Sequence, residues 1–473
     1  MSPCRVDPAG AQHRCSHETT HKTRMNDRPV LFMLHALGGS AKAWQGVVAA
    51  LGSAFECLPI DLPGFGDARG ASGWSVASMA DHVAAAVVQR GGARWLLVGH
   101  SMGGKVASVV ASRALAGEPG LFGLAGVVLL AGSPPSPEPM AEDRREKMIG
   151  WATPGPLDGA AAREFVDANV GRALAPEADR LAIDDLERAS PEAWVAWLER
   201  GSREDWSAEV GILDVPALII VGGADGDLGE DGQRATNAIV YPRADLSVEE
   251  GVGHLLPLER PTEVADKIAR FWNDKAGVGP AVPLPFAALI ASDRVSRRMR
   301  AALAVRSIAD DVDYAPRVLS PLHLQTLRAV AKQVVPQGTP SIDLAARIDA
   351  QLAAGKADGW RFANMPPDRE AYVAALDGLA EFAGLTAPEQ QAWLTRMADG
   401  EFDRSTLSPE QMQRWFEDLR ADLVRHWTAH PATMARIGFD GFANGGDGPR
   451  KQGFERLAAN EREPWEPLME MQR

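Results

Sequence analysis

Cysteine is scarce: three in 473 residues, with Cys4 and Cys15 in a polar N-terminal stretch and Cys57 in a predicted strand. An odd and scattered set provides no disulfide framework and fits a reducing compartment. No uninterrupted apolar segment approaches the ~20 residues that a membrane-spanning helix needs. Residues 1–28 lack the apolar centre of a secretory signal. A cytoplasmic chain without a membrane span is the expectation. Positive charge is also in deficit: 49 Lys and Arg face 63 Asp and Glu, for a formal charge of −14. That argues against a general nucleic-acid or anionic-membrane binder, because phosphate contacts need a basic surface. With 45% hydrophobic and 24% charged residues, the chain has the balance of a globular protein, and its length predicts two or three domains.

Residues 1–28 carry His13, Cys15, His17 and His21. On a helix these spacings would reach a metal, but a segment with no apolar face reads as a disordered tail, and no metal site is expected. Met25 is an alternative start.

What is present is one organising stretch, Trp95-Leu96-Leu97-Val98-Gly99-His100-Ser101-Met102-Gly103-Gly104. An apolar run short enough for a buried strand breaks at Gly99, presents a serine and passes into an alanine-rich helical pattern, which is the G-x-S-x-G layout of a nucleophile elbow. Glycines two before and two after Ser101 allow a turn too sharp for larger side chains. Upstream, Pro29 to Leu34 reads as a strand buried on both faces. It ends in His35-Ala36-Leu37-Gly38-Gly39-Ser40, small residues that let a backbone amide point at a substrate oxygen. Further strands are predicted at Phe55–Ile60, Gly126–Ala131, Val215–Val221 and Leu246–Glu249, with helices at Ser75–Arg90 and Thr262–Asn273.

Between the fourth and fifth strands, residues of about 136–210 are charged and helical, and hold Trp151, Trp194, Trp197 and Trp206. A helical insertion after a sheet strand is a natural cap. Its tryptophans either line an apolar acyl pocket, with Trp151 and Trp194 as candidates beside His35 and His100, or seat the cap on the core.

The fifth strand runs into Gly222-Gly223-Ala224-Asp225-Gly226-Asp227, which puts a carboxylate at the sheet edge where Ser101 lies. Asp225 is the candidate acid and Asp227 the alternative. An EF-hand reading of this loop fails for want of a polar fifth ligand and a late glutamate. After the last strand, Gly251-Val252-Gly253-His254 places a histidine between glycines, a setting suited to a ring that must reach a neighbour.

Serine, aspartate and histidine in this chain order, each on a loop after a strand, resemble the triad of the α/β-hydrolase family. The resemblance covers about residues 28–275 and is closest to capped esterases, carboxylesterases and carbon–carbon bond hydrolases. It implies an α/β fold with a mostly parallel sheet and a helical cap. It further implies Ser101 as nucleophile, His254 as general base and acid, Asp225 as the orienting acid, and the backbone amides of Met102 and Leu37 as the oxyanion hole. Ala36 departs from the glycine usual after the histidine. The chemistry so implied takes a small acyl-type substrate and requires no metal or organic cofactor.

Residues 276–315, rich in glycine and proline at the outset, read as a linker with a helix. Within them Ser296-Arg297-Arg298 looks like a twin-arginine export motif, but a mid-chain position makes an amphipathic helix the better reading. Residues 316–473 are predicted to be mainly helical. Helical patterns fall at about 320–335, 341–354, 368–383, 387–398 and 408–427. The helix end from Leu327 to Pro336, the stretch Ile342–Asp349, His430-Pro431, Phe439-Asp440-Gly441-Phe442-Ala443-Asn444-Gly445-Gly446 and Trp465 resemble subunit three of gluconate 2-dehydrogenase. That resemblance implies docking to a flavin-dependent oxidoreductase of the glucose-methanol-choline type supplied by another chain. No catalytic constellation is visible here: His323, His426 and His430 are scattered.

Overall fold

The computed structural model describes residues 28–92, 94–356 and 361–439, with isolated positions 441, 442, 447, 458, 459 and 461. The histidines and cysteine of the N-terminal tail, Met25, Asp440, Ala443 to Gly446 and Trp465 lie outside the described residues.

Six strands, β1 (Val30–Leu34), β2 (Glu56–Ile60), β3 (Trp95–His100), β4 (Leu124–Leu130), β5 (Ala217–Gly222) and β6 (Ala244–Glu249), form one sheet. All five pairings are parallel, in the order β2-β1-β3-β4-β5-β6. The continuous apolar runs read from the sequence are explained by burial on both faces. In β1, Val30, Phe32 and Leu34 enter one core, and Leu31 and Met33 the other. β3 divides likewise, Trp95 and Leu97 against Leu96 and Val98. This is the period-two alternation of a strand covered on each side.

Helices α1 (Gln45–Leu51), α2 (Val76–Arg90) and α3 (Met102–Leu115) connect the first four strands. The cap between β4 and β5 comprises α4 (Glu142–Ala152), α5 (Gly159–Ala168), α6 (Pro176–Arg188), α7 (Pro191–Glu199) and α8 (Ser207–Val210). α9 (Glu230–Ala235) and α10 (Asn237–Val240) precede β6, and α11 (Leu256–Glu259) and α12 (Pro261–Phe271) follow it. The order reverses at β1, which lies between β2 and β3, so the loops leaving β1 and β3 diverge there. Open parallel sheets bind ligands at such a switch point.

The segment after residue 276 corrects the expectation of a glycine- and proline-rich linker at its start. It forms α13 (Leu284–Ala291) and α14 (Arg297–Ser307). Pro283 caps α13 and Pro285 sits in its first turn, where a missing N–H costs nothing. Ala287, Ile290, Val295 and Leu303 pack on Phe122, just ahead of β4. Arg300, 1% exposed, donates to the carbonyls of Gly117 and Ser292 at 2.7 and 2.9 Å and to that of Val295. The arginine-rich stretch is thus a docked helix. Beyond it α15 (Pro321–Val334), α16 (Leu344–Ala353), α17 (Asp368–Gly378), α18 (Ala387–Ala398), α19 (Pro409–Thr428) and α20 (Pro431–Arg436) follow. α15 to α19 enclose a core of their own around Leu327, Ile348, Phe382 and Trp415.

Candidate active site

Ser101 sits between β3 and α3 with φ +49°, ψ −118°, in backbone territory that an L-residue occupies only under constraint. The constraint is close packing around the turn. A Cβ on Gly99 would lie 2.5 Å from the Gly103 oxygen, and one on Gly103 would lie 2.6 Å from the Leu34 oxygen. Only glycine fits either position, and the serine is pushed out at the strand's end. Met102 opens α3, so its N–H has no acceptor within the helix.

Asp225 and His254 leave β5 and β6 at the same sheet edge. The His254 ring donates from Nδ1 to Asp225 Oδ2 at 2.7 Å, both side chains being about nine-tenths buried. A neutral imidazole that donates from Nδ1 carries its lone pair on Nε2. Burial pushes the Asp225 carboxyl upward, but the His254 charge and hydrogen bond outweigh it and hold the group below its ordinary value. For His254 burial acts downward, and the Asp225 charge and hydrogen bond, with Glu138, carry it above its usual range. Asp227 takes no part in this pair; its carboxylate faces Arg144 at 3.6 Å.

Ser101, His254, Asp225 and Leu37 line one small cavity of about 40 Å³, with Glu138, Met140, Arg144, Met148, Phe165, Asn169 and Trp197 among its other walls. A water needs roughly 10–15 Å³ on this measure, so the capped site has room for a few waters or a short chain. Beyond Leu37 and Phe165 lies a second, apolar cavity lined by Gly38, Ala43, His100, Val166, Ala182, Leu186 and Leu258.

Three of the expected pocket residues stand elsewhere. His35 is fully buried; its Nδ1 donates to the Ala36 carbonyl at 2.8 Å and its Nε2 accepts from Leu62 N–H at 3.0 Å. It therefore braces the loop after β1. Trp194 is 0% exposed, packs edge-on against Phe165 and donates to the Met148 carbonyl. A Cβ on Gly38 would meet its ring at 2.9 Å, so Trp194 backs the Leu37–Gly38 turn. Trp151, half-buried at the end of α4, packs against the domain core with the Lys147 ammonium 5.9 Å from its ring. The tryptophan that does face Ser101 is Trp197, one helical turn beyond Trp194. His100 borders the second cavity and donates from Nε2 to the His254 carbonyl at 2.7 Å. Burial above all lowers its pKa to about 3, so it remains neutral.

Glu138, Arg144 and Asn169 went unread in the sequence, because a charged or amide residue in a helical cap looks like solvated surface. Glu138 is buried and accepts from the Ser133 hydroxyl, and burial raises its carboxyl.

The chain's sequence matches the model of the alpha/beta hydrolase family over residues 31–267 and that of gluconate 2-dehydrogenase subunit 3 over residues 321–441. The protein belongs to the alpha/beta hydrolase family and carries a gluconate 2-dehydrogenase subunit 3 domain behind the hydrolase domain. It is similar to 2-succinyl-6-hydroxy-2,4-cyclohexadiene-1-carboxylate synthase of Serratia proteamaculans (strain 568), at 37% identity over 108 residues, 23% of this chain and 40% of that one. It is also similar to pimeloyl-[acyl-carrier protein] methyl ester esterase of Sodalis glossinidius (strain morsitans), at 38% identity over 104 residues, 22% of this chain and 37% of that one. The match thus spans two fifths or less of the length of these curated relatives. Among solved structures, the chain is similar to a thermophilic esterase from Thermogutta terrifontis, with a TM-score of 0.45 at 24% identity over 52% of this chain and 90% of that one. It is likewise similar to the enol-lactonase from Burkholderia xenovorans LB400, with a TM-score of 0.46 at 20% identity over 53% and 94% of the two chains. Among the described residues no helix is long and apolar enough to cross a membrane.

Proposed function

We propose that residues 29–275 form a serine hydrolase acting on an ester, thioester, lactone or activated carbon–carbon bond. The observation that carries this reading is the 2.7 Å His254–Asp225 hydrogen bond in the same cavity as a serine held at positive φ. In this reading His254 Nε2 takes the Ser101 proton as Oγ attacks the carbonyl, and Asp225 holds the imidazolium that results. The N–H groups of Met102 and Leu37 receive the oxyanion, each worth about 3 kcal/mol in comparable sites. His254 returns the proton to the leaving group, and water activated by the same ring releases the acyl chain. Side chains and water suffice for every step. Short acyl p-nitrophenyl esters test this: turnover is expected in the wild type and lost in Ser101→Ala. A β-diketone-type substrate cleaved at carbon–carbon is the alternative for the same residues.

For residues 316–473 the subunit 3 match over 321–441 supports a docking role toward a flavin-dependent oxidoreductase from another chain. A pull-down from the native host that recovers a flavoprotein is the expected result, and one that recovers none counts against it. A purely accessory subunit, with an inactive hydrolase domain, is the opposing reading that the ester assay decides.

A further inference from the structure

The cap touches the histidine loop through backbone. The Asn169 carbonyl, at the end of α5, accepts both His254 N–H at 2.8 Å and Leu255 N–H at 3.1 Å. Two residues on, Gly171 meets the same loop so closely that a Cβ on Gly253 would lie 2.6 Å from the Gly171 nitrogen, and one on Gly171 would lie 2.5 Å from the Gly251 oxygen. One side chain joins the two segments. Glu259, at the end of α11 and half-buried, accepts Gly253 N–H on Oε1 and Gly171 N–H on Oε2, both at 2.9 Å. The His254 carbonyl, meanwhile, is held by His100. The peptide groups on each side of His254 are therefore fixed by partners from the cap, from α11 and from the elbow strand.

We propose that Glu259 is a positioning residue that clamps cap segment 169–171 to the loop of His254, so that seating of the cap completes the catalytic pair. The proposal rests on His254 being the general base. Glu259 touches no reacting atom; it acts through the backbone on either side of the histidine. A carboxylate suits the task because its two oxygens can each accept one N–H, as at a helix N-terminus.

The test uses the full chain and the variants Glu259→Gln, which keeps one acceptor oxygen, and Glu259→Ala, which keeps none. Backbone amide exchange followed by mass spectrometry is read together with p-nitrophenyl acetate kinetics. Exchange in segments 167–172 and 250–256 is expected to rise together in Glu259→Ala, with the strands unchanged. kcat is expected to fall at least about tenfold, the scale of one or two hydrogen bonds to a charged acceptor. Glu259→Gln should lie between wild type and Glu259→Ala, with KM held, because a displaced base weakens the transition state rather than binding. Exchange that rises in only one segment, or wild-type kcat in a folded Glu259→Ala, overturns the clamp. An inactive but folded wild type sinks the hydrolase reading instead, and joint or separate exchange still decides whether the two segments are clamped.

Discussion

Each ring in the site has its proton placed by one neighbour. Asp225 fixes the Nδ1 proton of His254, and the His254 carbonyl fixes the Nε2 proton of His100. Ester hydrolysis needs His254 unprotonated, and its folded pKa stands above the ordinary His value. kcat/KM is thus expected to rise with pH through a midpoint above ~6.5. Replacing Asp225 by Asn removes the charge that outweighs burial and leaves only a neutral amide beside the ring, so the midpoint should move to lower pH while the plateau falls by about 10⁴-fold. A kcat/KM profile of both proteins over pH 5 to 9 checks the sign and the size together. Asp227→Asn, by contrast, should leave the midpoint near that of the wild type. Linkage gives a matching stability window. The His254 contribution is full below ~6.5 and fades as pH rises through its raised folded value, and the Asp225 contribution is full above ~3.9 and fades as pH falls below it.

The residues that do the proposed chemistry were legible because their type and their position after a strand are local facts. Which of two aspartates two positions apart in the Asp225-Gly226-Asp227 turn faces the histidine is not local: it depends on how the loops of β5 and β6 meet. The same holds in the cap. Trp194 and Trp197 have the same composition signal, but only the packing of α7 on Gly38 decides that one backs a turn and the other looks at Ser101. Glu138 was invisible for a simpler reason, since sequence gives no sign that a charged residue will be enclosed.

At the scale of elements, the cap is tied to three of the four segments that carry the site. Ser40 of the loop after β1 donates to Asp185 of α6 at 2.6 Å. The Asn169 carbonyl holds the histidine loop. Lys105, in the first turn of the elbow helix, is fully buried, and its ammonium donates to the carbonyls of Gly201, Ser202 and Glu204. An ammonium has three N–H donors, and all three are used at the exit of the cap. Burial lowers its pKa to about 8, against the pull of nearby carboxylates. Lys105→Met keeps the apolar stem and takes the ammonium donor from the Gly201 and Glu204 carbonyls, while that of Ser202 keeps the Glu138 N–H, so it should destabilise the hydrolase domain by about 2–3 kcal/mol. A shift of the urea midpoint, with proteolytic nicking near residues 200–206, is the expected readout. The strands and helices were legible from apolar runs and from helix caps such as Ser75 and Ser408, whereas these ties join segments about a hundred residues apart and leave no local pattern.

In the whole molecule, the site and the connector to the second domain lie at opposite ends of the same strands. Leu37, Ser101, Asp225 and His254 follow the C-terminal ends of β1, β3, β5 and β6. Arg94, Phe122 and Arg243 precede β3, β4 and β6, and these residues hold the connector: Arg94 donates to the carbonyls of residues 276, 277 and 278, and Arg243 to that of Ala309. Phe122 shares a core with α13, α14 and Met434 of α20. Arg300→Ala is therefore expected to loosen this joint, lowering the melting temperature by a few degrees for ~2 kcal/mol lost, while the rate at Ser101 stays that of the wild type. A loss of hydrolysis in that variant would show that the connector reaches the site after all.

The central claim is that Ser101 is a nucleophile activated by His254. A fluorophosphonate probe reacts only with such a serine, so the decisive measurement is labelling of the full-length chain followed by peptide mapping, beside His254→Ala and Ser101→Ala. The account predicts a single adduct on Ser101 in the wild type, lost in both variants. A folded wild type that takes up no probe, or one labelled equally well without His254, would contradict it.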